Sequence, residues 1–201
     1  MVPRFMYPLL PYRSMLVPFL AVGAVAVPCW LAVRLHRVRS PGIRLSVRRE
    51  MLLLAFVVYL SGLASATLTP NHGPRARAEA AALVLRPDPA SLTCSAPSLP
   101  RGSTERSFCV RNARGNVVLF FPFGLLLPLV WPGLRVRRGM QTALALSVGI
   151  ELVQYLSRAW GSYRTADVND VILNVLGAGL GLGVMYLPRL RRGPRPDPSA
   201  R

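Results

Sequence analysis

The sequence predicts an all-α fold, a multi-pass transmembrane helical bundle of about five spans with its N-terminus outside and its C-terminus inside. The 201-residue chain is 52% hydrophobic and has a mean hydropathy of +0.37, yet it carries a formal net charge of +17. A compact soluble domain rarely combines these values. Five apolar runs are long enough to cross about 30 Å of hydrocarbon, and the 25 basic residues, all arginines, flank these runs.

The arrangement of the arginines argues against a nucleic-acid partner. A nucleic-acid-binding surface gathers basic residues on one soluble face, with aromatic residues between them. Here the arginines border membrane-length runs, where they set the orientation of the chain in the bilayer. We therefore expect membrane lipid as the partner and no nucleic acid. The sequence leaves open whether the protein forms a homo-oligomer.

The first two runs predict an external N-terminus. Residues 14–33 form the first run, and six arginines follow it directly: Arg34, Arg37, Arg39, Arg44, Arg48 and Arg49. Arginine-rich loops stay in the cytoplasm, so the first run leads inward, and we interpret it as a membrane anchor rather than a cleaved signal peptide. Residues 50–68, the second run, then lead outward.

A polar loop, residues 69–114, follows the second run and is expected outside the cell. It contains a short helix-like stretch at residues 76–85 but no run long enough to span. Cys94 and Cys109 lie in this loop without a Cys-x-x-Cys pair or a nearby histidine, so no metal site is expected there. In an extracytoplasmic loop the two cysteines are a candidate disulfide that closes about 15 residues.

The remaining three runs complete the predicted topology. They are residues 115–131, 140–156 and 167–187, and the short basic loop after the third run, like the basic tail after the fifth, is predicted to be cytoplasmic. We accordingly divide the chain into three parts. Residues 1–49 are the first helix and its basic cytoplasmic loop, residues 50–187 are a transmembrane domain that includes the extracytoplasmic loop, and residues 188–201 are a basic cytoplasmic tail expected to be disordered.

Two stripes of polar and small residues follow the fourth and fifth runs at helical spacing, which places each stripe on one helix face. The first stripe is Ser147, Glu151, Gln154 and Arg158, and the second is Asp167, Asp170, Asn174, Gly177 and Gly181. Antiparallel helices joined by a short turn lay such stripes against each other. We expect Arg158 to face Asp167, Gln154 to lie near Asp170, and Glu151 to lie near Asn174, about 10 Å below the helix ends. The glycines allow close helix approach.

These stripes form a candidate functional site. Ionisable residues inside membrane-length runs are costly and by default mark functional sites. Interhelical hydrogen bonds in membranes stabilise by only about 0.6 kcal/mol on average, so a purely structural role is a weak reason to place a glutamate at this depth. The candidate ligand-binding residues are Glu151, Gln154, Arg158, Arg164, Asp167, Asp170 and Asn174. Whether the site also catalyses a reaction is left open, with Glu151 and Asp170 as the candidate acid and base. No cofactor and no metal are expected.

Three blocks of the sequence resemble the signature blocks of the VanZ-like family, in order and at compatible spacing. They are Asn116-Val-Val-Leu-Phe-Phe-Pro-Phe-Gly-Leu-Leu-Leu-Pro128, Ile150-Glu-Leu-Val-Gln154 and Asp167-Val-Asn-Asp-Val-Ile-Leu-Asn-Val-Leu-Gly177. The resemblance covers about residues 67–187 and adds Asn116 to the candidate ligand-binding residues. Asn169 departs from the family pattern, which often has an acidic residue there, and this departure argues against divalent-metal binding by adjacent carboxylates.

The family is named for a protein linked to low-level resistance to teicoplanin, a glycopeptide that binds cell-wall precursors. The resemblance therefore implies a multi-pass protein of the bacterial plasma membrane. Its expected function is to bind or act on a cell-envelope or lipid-linked ligand through an outward-facing polar pocket, with a link to glycopeptide resistance. Two alternatives stay open: a membrane-embedded enzyme that acts on a lipid headgroup, and a small transporter or flippase subunit.

Overall fold

The structure, a computed structural model, describes residues 13–38, 46–68, 83–160 and 165–191. Its helices in these ranges are α1 (Arg13–Val38), α2 (Val47–Leu68), α3 (Pro89–Leu92), α4 (Thr104–Val130), α5 (Val136–Leu156) and α6 (Val168–Arg191). A 3-10 turn covers Ser157–Trp160, and two short strands, β1 (Leu83–Val84) and β2 (Ala166–Asp167), pair in parallel. The predicted all-α class is confirmed. Arg164 and the predicted tail from residue 192 onward lie outside the described residues.

Four of the described helices are long and apolar enough to cross a membrane: α1, α2, α4 and α6. They correspond to the first, second, third and fifth predicted spans. The fourth predicted span is also a helix, α5, but its hydropathy is lower because Arg137, Arg138 and Glu151 lie within it. That α5 crosses the membrane, and that the N-terminus is outside, stay predictions.

The main correction to the sequence analysis is the start of α4. This helix begins at Thr104, eleven residues before the expected start, so the end of the predicted loop is helical. Ser103 is the N-cap, and its side chain accepts a hydrogen bond from the Arg106 N–H at 3.1 Å. A serine at this position followed by an acidic residue in the first turn, here Glu105, is a usual helix-start signal. The arginine-rich composition after it concealed the helix.

Two further expectations are corrected. The helix-like stretch predicted at residues 76–85 ends instead in strand β1, and its earlier part lies outside the described residues. At the other end of the chain, α6 continues to Arg191 and so passes Pro188, where we expected it to end.

The described chain forms two compact units. The first contains α1 and α2 together with residues 156–160. At one end of this helix pair the Arg34 guanidinium donates to the Glu50 carboxylate, with 2.7 Å between Nε and Oε2. The Phe19 ring lies 3.7 Å from the position that a Cβ on Gly62 would take. Large apolar side chains on α1 are exposed, as suits a helix that faces lipid.

The second unit contains residues 83–155 and 165–191, and its core lies between α4 and α6. Phe120, Phe123 and Leu127 of α4 are buried, as are Ala178 and Leu182 of α6. Small residues bring the two backbones together. A Cβ on Gly124 would lie 2.0 Å from the Ala178 carbonyl oxygen, one on Gly177 would lie 2.2 Å from that of Val117, and one on Gly181 would lie 2.2 Å from that of Phe121. The predicted glycine stripe therefore faces α4.

Candidate functional site

The site is built around the start of α6, in the second unit. Asp167 is the last residue of β2, and its Oδ1 accepts a hydrogen bond from the Asn169 N–H at 2.8 Å. This contact satisfies one of the backbone donors that every helix leaves unpaired in its first turn. Asp167 thereby determines where α6 begins and directs the next polar side chains, Asp170 and Asn174, toward the neighbouring helices.

Asp170 joins the start of α6 to α4. Its Oδ1 accepts one hydrogen bond from the Asn116 side-chain amide at 2.6 Å and another from the Asn112 amide at 3.1 Å. The two asparagines are four residues apart and so share one face of α4. Hydrogen bonds to a carboxylate are stronger than those between neutral groups. Asn116 was predicted as a site residue, whereas Asn112 was missed because it lies in the part of α4 that we expected to be loop.

Glu151 links α5 to the start of α6. Only 8% of its surface is exposed, and its Oε2 accepts a hydrogen bond from the Asp167 N–H at 3.0 Å. The carboxylates of Glu151, Asp167 and Asp170 therefore converge on the first turn of α6. Among the described residues, no group of three histidine, cysteine or acidic side chains is placed to hold a metal ion.

Asn174 lies one turn deeper and is almost fully buried. Its Nδ2 donates to the Ser147 hydroxyl oxygen at 2.9 Å, and its Oδ1 is buried without a hydrogen-bond partner within the described part of the chain. Ser147 is one helical turn from Glu151, the residue that we expected opposite Asn174. The register between α5 and α6 at this point therefore differs from the prediction by one turn.

Gln154 and Arg158, two further predicted site residues, belong to different units of the chain. Gln154 belongs to the second unit and is buried, with 7% of its surface exposed. Arg158 belongs to the first unit, in the 3-10 turn after α5, and is half-buried. Its predicted contact with Asp167 stays a prediction, as does any role of Arg164.

The loop between α2 and α4, which contains β1 and α3, is anchored at the site. β1 pairs with β2 so that Leu83 lies opposite Ala166 and Val84 opposite Asp167. Asn169, the position that departs from the family pattern, accepts a hydrogen bond through its Oδ1 from the Asp88 N–H at 3.1 Å. Its side chain therefore holds the loop in place, a role that the sequence analysis did not assign to it.

A disulfide and a helix cap stabilise the same loop. Cys94 and Cys109 are bonded, with their Cα atoms 5.9 Å apart, which is the pairing that the sequence suggested. Asp88 caps α3 by accepting hydrogen bonds from the Ala90 and Ser91 N–H groups at 3.0 and 3.2 Å. The Ser91 hydroxyl, which donates to Asp88 at 2.5 Å, is the main cause that holds the pKa of Asp88 below its ordinary value.

These features define a class of protein: a helical membrane protein in which carboxylates and amides meet where α6 begins. The chain belongs to the VanZ/LLP1 family, whose model matches residues 51–189. It is 33% identical over 72 residues to the protein VanZ of Enterococcus faecium, a match that covers 36% of this chain and 42% of that relative. No solved structure matches the chain.

Proposed function

We propose that the protein is a multi-pass protein of the bacterial plasma membrane. Through an outward-facing polar pocket at the start of α6, it binds or acts on a cell-envelope or lipid-linked ligand and thereby lowers sensitivity to glycopeptides such as teicoplanin. Membership of the VanZ/LLP1 family and the name of the relative support the link to resistance. The observation that carries the proposed pocket is the convergence of Glu151, Asp167 and Asp170 on one helix turn.

The chemistry of this cluster favours a ligand with hydrogen-bond donors. Carboxylates accept hydrogen bonds and attract cations, so amine, amide and hydroxyl groups are suitable partners. Asp167 and Asp170 are only partly buried; Asp167 directly precedes α6 and Asp170 lies in its first turn, so both lie at one end of a membrane-length helix, close to a membrane face. A ligand that carries such groups at the headgroup level therefore fits this position better than one buried among lipid tails.

The direct test is teicoplanin sensitivity in a sensitive Gram-positive host. Cells that express the wild-type chain are expected to need a higher inhibitory concentration than cells with an empty vector, and Asp170→Ala is expected to abolish the difference at unchanged protein level. Glu105→Gln is the matched control because Glu105 is an exposed carboxylate on α4 outside the cluster. A wild-type chain without effect, or Asp170→Ala as protective as wild type, would contradict the proposal.

The orientation is tested by cysteine labelling in intact cells. With Cys29 replaced by serine, the disulfide leaves no free native thiol among the described residues. Ser98→Cys lies in the exposed loop and is expected to react with a membrane-impermeant maleimide in intact cells. Arg138→Cys, at the start of α5, is expected to react only after lysis. The reverse pattern would place the polar cluster at the cytoplasmic face.

A further inference from the structure

A groove rich in arginine lies along the first part of α4. It has a volume of about 490 Å³ and is lined by Gly102, Arg106, Ser107, Val110, Arg111 and Arg114; we call it the arginine groove. That volume falls within the range of about 300–1,000 Å³ that is usual for small-ligand sites. At 100° per residue, its lining residues lie roughly opposite Asn112 and Asn116 on α4. The groove is therefore separate from the carboxylate cluster.

Two arginines of the groove are positioned by neighbouring groups, and none of the three is paired with a described carboxylate. The Arg106 Nη1 donates to the Leu99 carbonyl oxygen at 3.4 Å, and the Arg111 guanidinium lies 5.8 Å from the centre of the Phe108 ring. No carboxylate within the described ranges forms an ion pair with Arg106, Arg111 or Arg114. Three positive charges that line one groove attract an anion, and a guanidinium matches the geometry of a phosphate.

The position of the groove indicates where this anion comes from. α4 has 27 residues and is therefore about 40 Å long, roughly 10 Å longer than the hydrocarbon core. Its apolar part begins at Gly115, directly after Arg114, so the groove lies at the level of the lipid headgroups. The Phe108 side chain, 62% exposed at the same level, suits a membrane interface, where aromatic rings are enriched.

We propose that the arginine groove binds the phosphate of an anionic membrane lipid. The phosphate oxygens accept hydrogen bonds from Arg111 and Arg114, while the acyl chains extend along the apolar part of α4. This inference does not depend on the proposed role of the carboxylate cluster. Its failure and the failure of that role are distinguishable because the two sites lie on different faces of α4.

The test is lipid binding to the purified full-length protein in detergent, measured by native mass spectrometry. Short-chain phosphatidylglycerol is compared with phosphatidylcholine of the same chain length. The wild type is expected to prefer phosphatidylglycerol. The double substitution of Arg111→Gln with Arg114→Gln is expected to weaken its binding about 30-fold, since each arginine near a membrane surface contributes about a fivefold factor.

The control is the double substitution of Arg137→Gln with Arg138→Gln, which removes the same charge from exposed positions on α5. It is expected to leave the binding of phosphatidylglycerol within about twofold of the wild type. An equal loss in both double variants would mean unspecific charge attraction and would overturn the proposal. Displacement of the lipid by glycerol 3-phosphate at an equal concentration would overturn it as well, because a soluble phosphate would then be the ligand. If the groove variant is misfolded by size-exclusion chromatography, Arg114→Gln alone is used, with about a fivefold loss expected.

Discussion

The close contact between α4 and α6 makes Gly177 a sensitive position. A Cβ there would lie 2.2 Å from the Val117 carbonyl oxygen and 2.9 Å from the Val117 Cα. Because both atoms belong to the backbone, rotation of a side chain cannot relieve the contact, and the helices must move apart by about 1 Å to reach an ordinary separation. Gly177→Ala therefore tests whether the glycine stripe determines how near the two helices lie.

The expected loss of stability follows from two opposing terms. Overpacking of a close contact costs about 1–3 kcal/mol, and the higher helix propensity of alanine returns up to about 1 kcal/mol. The net loss is about 1–2 kcal/mol, which for a chain of this length lowers the melting temperature by about 2–8 °C. The measurement is thermal unfolding of the purified protein in detergent, monitored by helical circular dichroism.

The matched control is Gly183→Ala on the same helix. Nothing lies within 4 Å of the position that a Cβ on Gly183 would take, so this substitution is expected to raise the melting temperature by up to about 4 °C through the helix propensity of alanine alone. If Gly177→Ala is as stable as Gly183→Ala, the two backbones are not in contact at Gly177. The reasoning about the glycine stripe, and about the α4 face of the site, would then be refuted.

Three further predictions concern the site and its loop. Ser147→Ala removes the acceptor of the Asn174 amide and is expected to cost about 1–3 kcal/mol of stability, measured by thermal unfolding. The double substitution of Cys94→Ser with Cys109→Ser is expected to cost about 3 kcal/mol in the chain-entropy model, measured in the same way. Because the pKa of Asp88 is lowered in the folded chain, its cap stabilises the loop above about pH 4 and is lost as the pH falls through the folded pKa. After correction for the intrinsic exchange rate, which itself falls with pH, amide hydrogen exchange near α3 is therefore expected to accelerate in acid, and Asp88→Asn is expected to reduce this acceleration.

Each of these predictions has its own control. Thr142→Ala serves for Ser147→Ala, because the Thr142 hydroxyl donates only within its own helix, to the Arg138 carbonyl oxygen at 2.8 Å, and no comparable loss is expected. For the disulfide, trypsin cleavage after the exposed Arg101 should give fragments that separate on a gel only after reduction; separation without reductant would contradict the bond. For the cap, equal acid acceleration in wild type and Asp88→Asn would assign the effect to other groups.

The helices of this protein were largely predictable because membrane-length apolar runs are a direct signal. The start of α4 was not, because residues 104–114 are rich in arginine and polar groups, and only the Ser103 and Glu105 pair indicated a helix start. This omission also concealed Asn112. A polar helix segment that extends beyond the hydrocarbon has no hydrophobic pattern of its own, so capping residues are the remaining signal.

The helix faces on which the candidate site residues lie were easier to predict than the contacts of these residues. Helical spacing correctly put Asp170 and Asn174 on one face of α6, but the sequence does not state which helix that face meets. We paired α6 with α5 because they are adjacent in the chain; Asn174 does reach Ser147 of α5, but Gly177 and Gly181 also bring α6 against α4. Asp170 consequently reaches Asn116. The one-turn difference in register at Ser147 was not predictable, because residue spacing does not encode the shape of the connection between α5 and α6.

The pairing of β1 with β2 has a consequence for biogenesis. Asp88 and its partner Asn169 are 81 residues apart, so at about 5–20 residues per second the partner is synthesised about 4–16 s later. During this interval the backbone groups of β1 have no strand to pair with, although both disulfide cysteines, only 15 residues apart, are already present. A nascent chain that has not yet reached Ala166 can therefore close its loop covalently but cannot anchor it. The carboxylate cluster is completed only when α6 has been synthesised.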